Sequence, residues 1–174
     1  EIPSPSSGQI IVNGINISEC SEANIASWRE TISLVSQRIY LSETSIKENI
    51  AFGIEKNKID INKVNKVLKI ALLNEYISNK KFGIDTIVGE NGISLSGGQQ
   101  QRLGIARGIY KNPNFLLLDE ATSALDYSTE YQLLENISSM NDDLTMIMIT
   151  HRENNLKFCN KIFRVVNGNI IKVD

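Results

Sequence analysis

The sequence predicts an α/β fold, a mostly parallel sheet with flanking helices. Three observations point to it. Short β-branched apolar runs alternate along the chain with stripes of helical period. Phe115-Leu116-Leu117-Leu118 is a continuous apolar run that stops at two acids, the pattern of a strand buried on both faces. At the end the alternation gives way to Lys161–Val166 and Ile170–Val173 around Asn167-Gly168-Asn169, which read as a hairpin.

Each element has a local reason. The opening, Glu1 to Gly8, holds two of the three prolines and reads as loop or linker. Gln9–Val12 and Ile32–Ser36 have the short, β-branched character of strands, and Asn24–Thr31 between them reads as a short helix carrying Trp28. Asp60 is placed to cap a helix over Ile61–Leu73, because Ile61, Val64, Val67, Leu68, Ala71 and Leu72 share one stripe. A further helix is expected over Gly97–Lys111 with Leu103, Ala106, Ile109 and Tyr110 inward. Helix Ser128–Met140 and strand Leu144–Ile149 complete the alternation, while Ser42–Gly92 is richer in helix and is expected to form a lobe beside the sheet.

Composition sets the class. A chain of 174 residues is long enough for one domain with a core that buries roughly 70% of its unfolded surface. With 41% hydrophobic and 22% charged residues it is neither disordered nor fibrous. Eighteen basic against twenty acidic side chains give −2, so no basic field announces nucleic acid. Cys20 and Cys159 stand far apart and make neither a disulfide framework nor a metal pair, in keeping with a reduced, cytosolic setting. A single histidine excludes a histidine-rich metal site.

Four places carry chemistry. In Leu95-Ser96-Gly97-Gly98-Gln99, Ser96 and Gln99 have the spacing of a capping box, and the two glycines let a large anion approach amides at a helix start. The bland alternative there is a plain capped helix. Asp119 and Glu120 follow the apolar strand at its carboxyl end, where α/β sheets place ligands; Asp119 suits a water-bridged Mg²⁺ and Glu120 an attacking water. His151 and Gln37 likewise each follow an apolar strand.

In order, Gln37, Val88-Gly89-Glu90-Asn91-Gly92, Leu95 to Gln99, Asp119-Glu120, Ser123-Ala124-Leu125-Asp126 and His151 resemble the nucleotide-binding domain of ATP-binding cassette (ABC) transporters. They correspond to that family's Q-loop, the X-loop of exporters, the signature motif, Walker B with its glutamate, the D-loop and the H-loop. The resemblance runs from about Gly8 onward. It implies a P-loop NTPase-like sheet with a helical signature-motif subdomain over about residues 42–111, the remainder being sheet core, and with the N-terminal part of the domain absent. It implies ATP and Mg²⁺. Gln37 and Asp119 would serve the metal, while Glu120, His151 and Gln37 would serve hydrolysis. Ser96, Gly97, Gly98 and Gln99 would embrace the ATP of a second nucleotide-binding domain in a head-to-tail dimer, and Asp126 would couple the two sites. The X-loop segment would touch the coupling helices of a transmembrane domain. The location implied is the cytoplasmic face of a membrane for the whole protein, the chain itself being soluble.

One departure matters. No Gly-x-x-x-x-Gly-Lys-[Ser/Thr] P-loop is present. Pro5 to Gly14 resembles the stretch after the Walker A helix, so the chain is expected to be a fragment beginning just beyond it. A P-loop supplies several charge-assisted hydrogen bonds of about 1.5–3 kcal/mol each, whereas millimolar binding amounts to about 4 kcal/mol in total. The chain alone is therefore expected neither to bind ATP tightly nor to hydrolyse it, and to expose apolar surface. A second departure is the absence of a leucine after the arginine in His151-Arg152-Glu153-Asn154-Asn155.

Ser45 to Ile50 ahead of Phe52-Gly53 is similar to exporters whose membrane and nucleotide-binding halves share one chain. Phe158 to Ile162 and Val166 to Ile170 are similar to exporters of lipid-linked oligosaccharide or polysaccharide. Two other classes compete: a chromosome-maintenance or DNA-repair ATPase, which would be more basic and carry a coiled coil, and a non-enzymatic interaction module.

Overall fold

The computed structural model describes residues 7–89, 92–141 and 143–173. The proline-bearing start, residues 1–6, lies outside them, as do Glu90 and Asn91 of the X-loop segment.

The elements in order are β1 (Ile11–Val12), β2 (Ile15–Asn16), α1 (Glu22–Glu30), β3 (Ile32–Val35), α2 (Ile46–Ile50), α3 (Ile61–Ile70), α4 (Asn74–Ser78), α5 (Gly97–Tyr110), β4 (Phe115–Asp119), α6 (Tyr127–Ser138), β5 (Thr145–Ile149), β6 (Ile162–Val166) and β7 (Asn169–Val173). Strands β3, β4 and β5 form one parallel sheet in that order, with Val35 opposite Leu118 and Asp119 opposite Ile149. The α/β architecture is therefore as expected, and the hairpin β6–β7 turns at Asn167-Gly168, both at positive φ as a type I′ turn requires. A second Asn-Gly turn, Asn13-Gly14, follows the strand expected over Gln9–Val12, which is shortened to Ile11–Val12, and joins it to the unexpected β2.

Caps account for most boundaries. Ser21 caps α1 and starts it two residues before the expected Asn24, Asp60 caps α3 as foreseen, and Asp126 caps α6. Helix α3 stops at Ile70 instead of reaching Leu73. Leu72 takes φ 56°, and the amides of Leu72 and Leu73 return to the carbonyls of Lys69 and Leu68, a Schellman closure. Ile61, expected on the buried stripe, is exposed at the helix start, whereas Val64, Val67, Leu68 and Ala71 are buried. All four residues expected inward on α5 are buried.

One hydrophobic cluster joins the helical lobe to the sheet through Ile46, Ile50, Leu68, Leu103, Ile109, Leu116 and Leu133. Helix α5 lies closest to the sheet: a Cβ on Gly108 would sit 2.8 Å from Val35 Cγ2 and 3.4 Å from Leu116 Cδ1. The opposite face corrects the expectation of a strand buried on both sides. Leu34, Leu117 and Ile147 stand in register across the three strands, with Leu34 65% and Ile147 50% exposed. Among the described residues no element covers that row, so only one face of β4 is fully buried. No helix of the described residues is long and apolar enough to cross a membrane.

Candidate functional site

Parallel register assembles the first cluster. Gln37 stands two residues past Val35, and Glu120 two past its partner Leu118, so both emerge level at the carboxyl edge of the sheet. His151 follows β5 on the other side. Gln37 Nε2 donates to Glu120 Oε2 at 2.8 Å, and His151 Nε2 lies 3.1 Å from Glu120 Oε1. One carboxylate is thus held from both sides by polar groups that a reacting water or phosphate can displace. His151 is 88% exposed, so the contact lies open at the surface. Glu120 sits at φ 47° while its amide extends the ladder to Ile149 O. A left-handed non-glycine residue costs on the order of 1 kcal/mol, and such strain concentrates where a side chain must be aimed.

Asp119 ends β4 half-exposed, one residue from this cluster. Gln37 donates through its nitrogen, which leaves its amide oxygen for a hard cation. Among the described residues no group of three or more His, Cys, Asp or Glu side chains is clustered as a metal cage. That donor set fits Mg²⁺, which takes one or two protein oxygens and otherwise keeps water and substrate phosphates.

The second cluster is the start of α5. The capping box forms as expected: Ser96 Oγ accepts from Gln99 N at 3.3 Å, and Gln99 Oε1 accepts from Ser96 N at 2.9 Å. The glycines serve a purpose not foreseen. A Cβ on Gly98 would approach Leu125 Cδ2 at 3.1 Å and Ala124 O at 3.2 Å, so Gly98 makes room for the loop between β4 and α6; only Gly97 is open toward solvent. Asp126 caps α6 through Thr129 N at 3.0 Å and Ser128 Oγ at 2.6 Å. Those bonds, the Ser128 hydroxyl foremost, hold its carboxyl well below the usual carboxylate range. Its residue type is therefore explained by capping within this chain. No hydrogen bond or ion pair joins the two clusters directly among the described residues.

Residues that motif reading passed over link them. Buried Gln101 donates from Nε2 to Ser123 Oγ at 3.0 Å and accepts from Ala124 N at 2.8 Å. Arg152, next to His151, donates to Ser123 O, Leu125 O and the Glu130 carboxylate. No sequence signal separates Glu130 from an ordinary acid in a first helical turn; its burial arises only in three dimensions. Of the X-loop segment, Val88 is buried, and its amide reaches Thr44 O at 3.1 Å, tying that segment to the loop ahead of α2.

Comparison with known proteins points to one family. The description of the ABC transporter family matches residues 1–123. An ATP-dependent lipid A-core flippase of Haemophilus ducreyi is 38% identical over 165 residues, 95% of this chain and 28% of its own length. ABC transporter B family member 18 of Arabidopsis thaliana is also 38% identical, over 97% of this chain and 14% of its own length. Among solved structures, a bacterial Atm1-family ABC exporter with ATP bound superimposes with a TM-score of 0.84 at 34% identity, covering 95% of this chain and 28% of that one. The chain thus spans little more than a quarter of the flippase and the exporter.

Proposed function

Since the chain belongs to the ABC transporter family, we propose that it is the carboxyl-terminal portion of the ATP-binding and ATP-hydrolysing domain of an exporter. Residues 42–111 form the helical signature subdomain and the remainder the sheet core. The observation that carries the reading is the bridging of Glu120 by Gln37 and His151 at one sheet edge. Phosphoryl transfer to water asks for a positioned carboxylate, a group steadying the γ-phosphate and charge neutralisation, with little covalent chemistry from the protein. Glu120 orients the attacking water and accepts its proton, His151 holds the γ-phosphate side, and Gln37 keeps the carboxylate aimed. Asp119 and the Gln37 amide oxygen would hold Mg²⁺, which when bound neutralises phosphate charge.

The cap of Ser96 to Gln99 is separate from this cluster. A sandwich of two domains, each presenting its cap to the other's nucleotide, makes use of both. The whole protein then couples hydrolysis to export, with this chain on the cytoplasmic face and its X-loop region against transmembrane coupling helices. A flippase for lipid A-core and a plant B-family transporter are equally identical to this chain. The cassette does not touch cargo, so a lipid-linked substrate rests on the names of such relatives and on the resemblance at residues 158–162 and 166–170.

The test is ATP turnover by the full-length protein. Glu120→Gln is expected to lower kcat at least about 100-fold while nucleotide still binds, and His151→Ala to do so by a similar factor. Unchanged turnover in Glu120→Gln overturns the assignment.

A further inference from the structure

The Glu130 carboxylate is 1% exposed, at the first turn of α6, where an unpaired charge would cost several kcal/mol. It is satisfied by three donors: the Thr122 hydroxyl, Asn155 Nδ2 at 2.8 Å and Arg152 Nη1 at 2.6 Å. Arg152 also donates to backbone, giving Nη1 to Leu125 O at 3.0 Å and Nη2 to Ser123 O at 2.8 Å. Its own amide is bonded to Thr150 Oγ1 at 3.0 Å, so the segment after β5 is fastened on either side of His151.

Residues 120–126 are consequently gripped at three points. His151 meets Glu120 at one end, Arg152 holds the carbonyls of Ser123 and Leu125, and Gln101 holds Ser123 and Ala124 from α5. A guanidinium does this where an ammonium cannot, because its planar fork reaches one carboxylate and two carbonyls at once.

We infer that Arg152, oriented by buried Glu130, is a positioning residue that fixes where His151 and the Ser123–Asp126 loop stand relative to Glu120, without itself touching nucleotide. The kinetic part of this inference rests on the ATPase reading above; the conformational part does not.

The experiment compares wild type, Arg152→Lys and Glu130→Gln in the full-length protein, by ATP turnover and by amide hydrogen exchange. Both variants are expected to speed exchange at least tenfold in peptides covering 121–127 and 150–156, with β3 and α5 unchanged. They are expected to lower kcat at least tenfold with KM within threefold. If either variant fails to fold, Thr122→Ala, which removes one donor to Glu130, gives the same local exchange signature in milder form. Local exchange like wild type, or a loss of kcat that follows only global destabilisation, overturns the inference. A wild type without ATP turnover whose variants still show the local change defeats the ATPase reading and leaves this one standing.

Discussion

Ser45 and Glu48 show how much rests on single side chains. Ser45 Oγ accepts from Glu48 N at 3.4 Å, and Glu48 Oε2 accepts from Ser45 N at 3.2 Å, closing a capping box on the five-residue α2. Lys56 Nζ lies 2.8 Å from Glu48 Oε1. The Lys56 ammonium first, then the Ser45 hydroxyl, draw the Glu48 carboxyl down to about 2. A carboxyl depressed on folding adds stability that is present in full above its unfolded value and is lost as pH falls through the folded one. Glu48→Gln should therefore weaken the protein by a constant amount above pH 4.5, an amount that shrinks as pH approaches 2; denaturant titrations across that range check it. Ser45→Ala should cost about 1 kcal/mol at neutral pH in the same assay. Gln37, Glu120 and His151 were legible because each directly follows an apolar strand, and parallel register does the rest. Glu130 and Arg152 were not, since they lie 22 residues from each other and Asn155 lies 25 from Glu130, and local pattern carries no trace of such a pairing.

Helix α5 is the element that connects the parts. Its first turn is the capped signature, Gln101 reaches the loop ahead of α6, and Arg107 donates to Asn49 O at 2.7 Å and Tyr40 O at 2.9 Å beyond Gln37. Its glycines differ in what surrounds them. A Cβ on Gly104 would first meet the Ile39 side chain, 2.5 Å from Cδ1, and Ile39 sits half-buried in a loop and can turn aside. On Gly108 the Cβ would meet Val35 and Leu116, both packed in the core. Overpacking there costs about 1–3 kcal/mol, against about 1 kcal/mol gained in helix propensity. Gly108→Ala should accordingly be the less stable of the two alanine variants by about 1 kcal/mol in parallel melts, and equal midpoints would refute the packing argument. At this scale the period-3.6 stripes revealed α3 and α5, and the caps Asp60 and Ser96 located their starts. Their ends were harder to read, because the left-handed turn at Leu72 uses a residue that gives no glycine signal. The hairpin at Asn13-Gly14 had its turn signal in plain view, but strands of two residues leave no alternation to find.

Over the whole molecule, the row Leu34, Leu117 and Ile147 together with the apolar side chains of β6 and β7 leaves water-exposed hydrocarbon on the described surface. Exposed hydrocarbon of this extent drives association. The 174-residue chain by itself should sediment as more than a monomer and bind a hydrophobic dye, and Leu34→Gln with Ile147→Gln should reduce both; a monodisperse wild-type monomer would count against it. The same chain should show no saturable ATP binding at millimolar concentration, because the several charge-assisted bonds of a P-loop are lacking. Turnover by the pure chain that disappears in Glu120→Gln would contradict this. A different use follows from the exposed imidazole 3.1 Å from Glu120. The chain contains one histidine, so the imidazole Hε1 line in a proton spectrum can belong to no other residue. That resonance is a built-in gauge: any phosphate entering beside the carboxylate displaces its neighbour and moves the line.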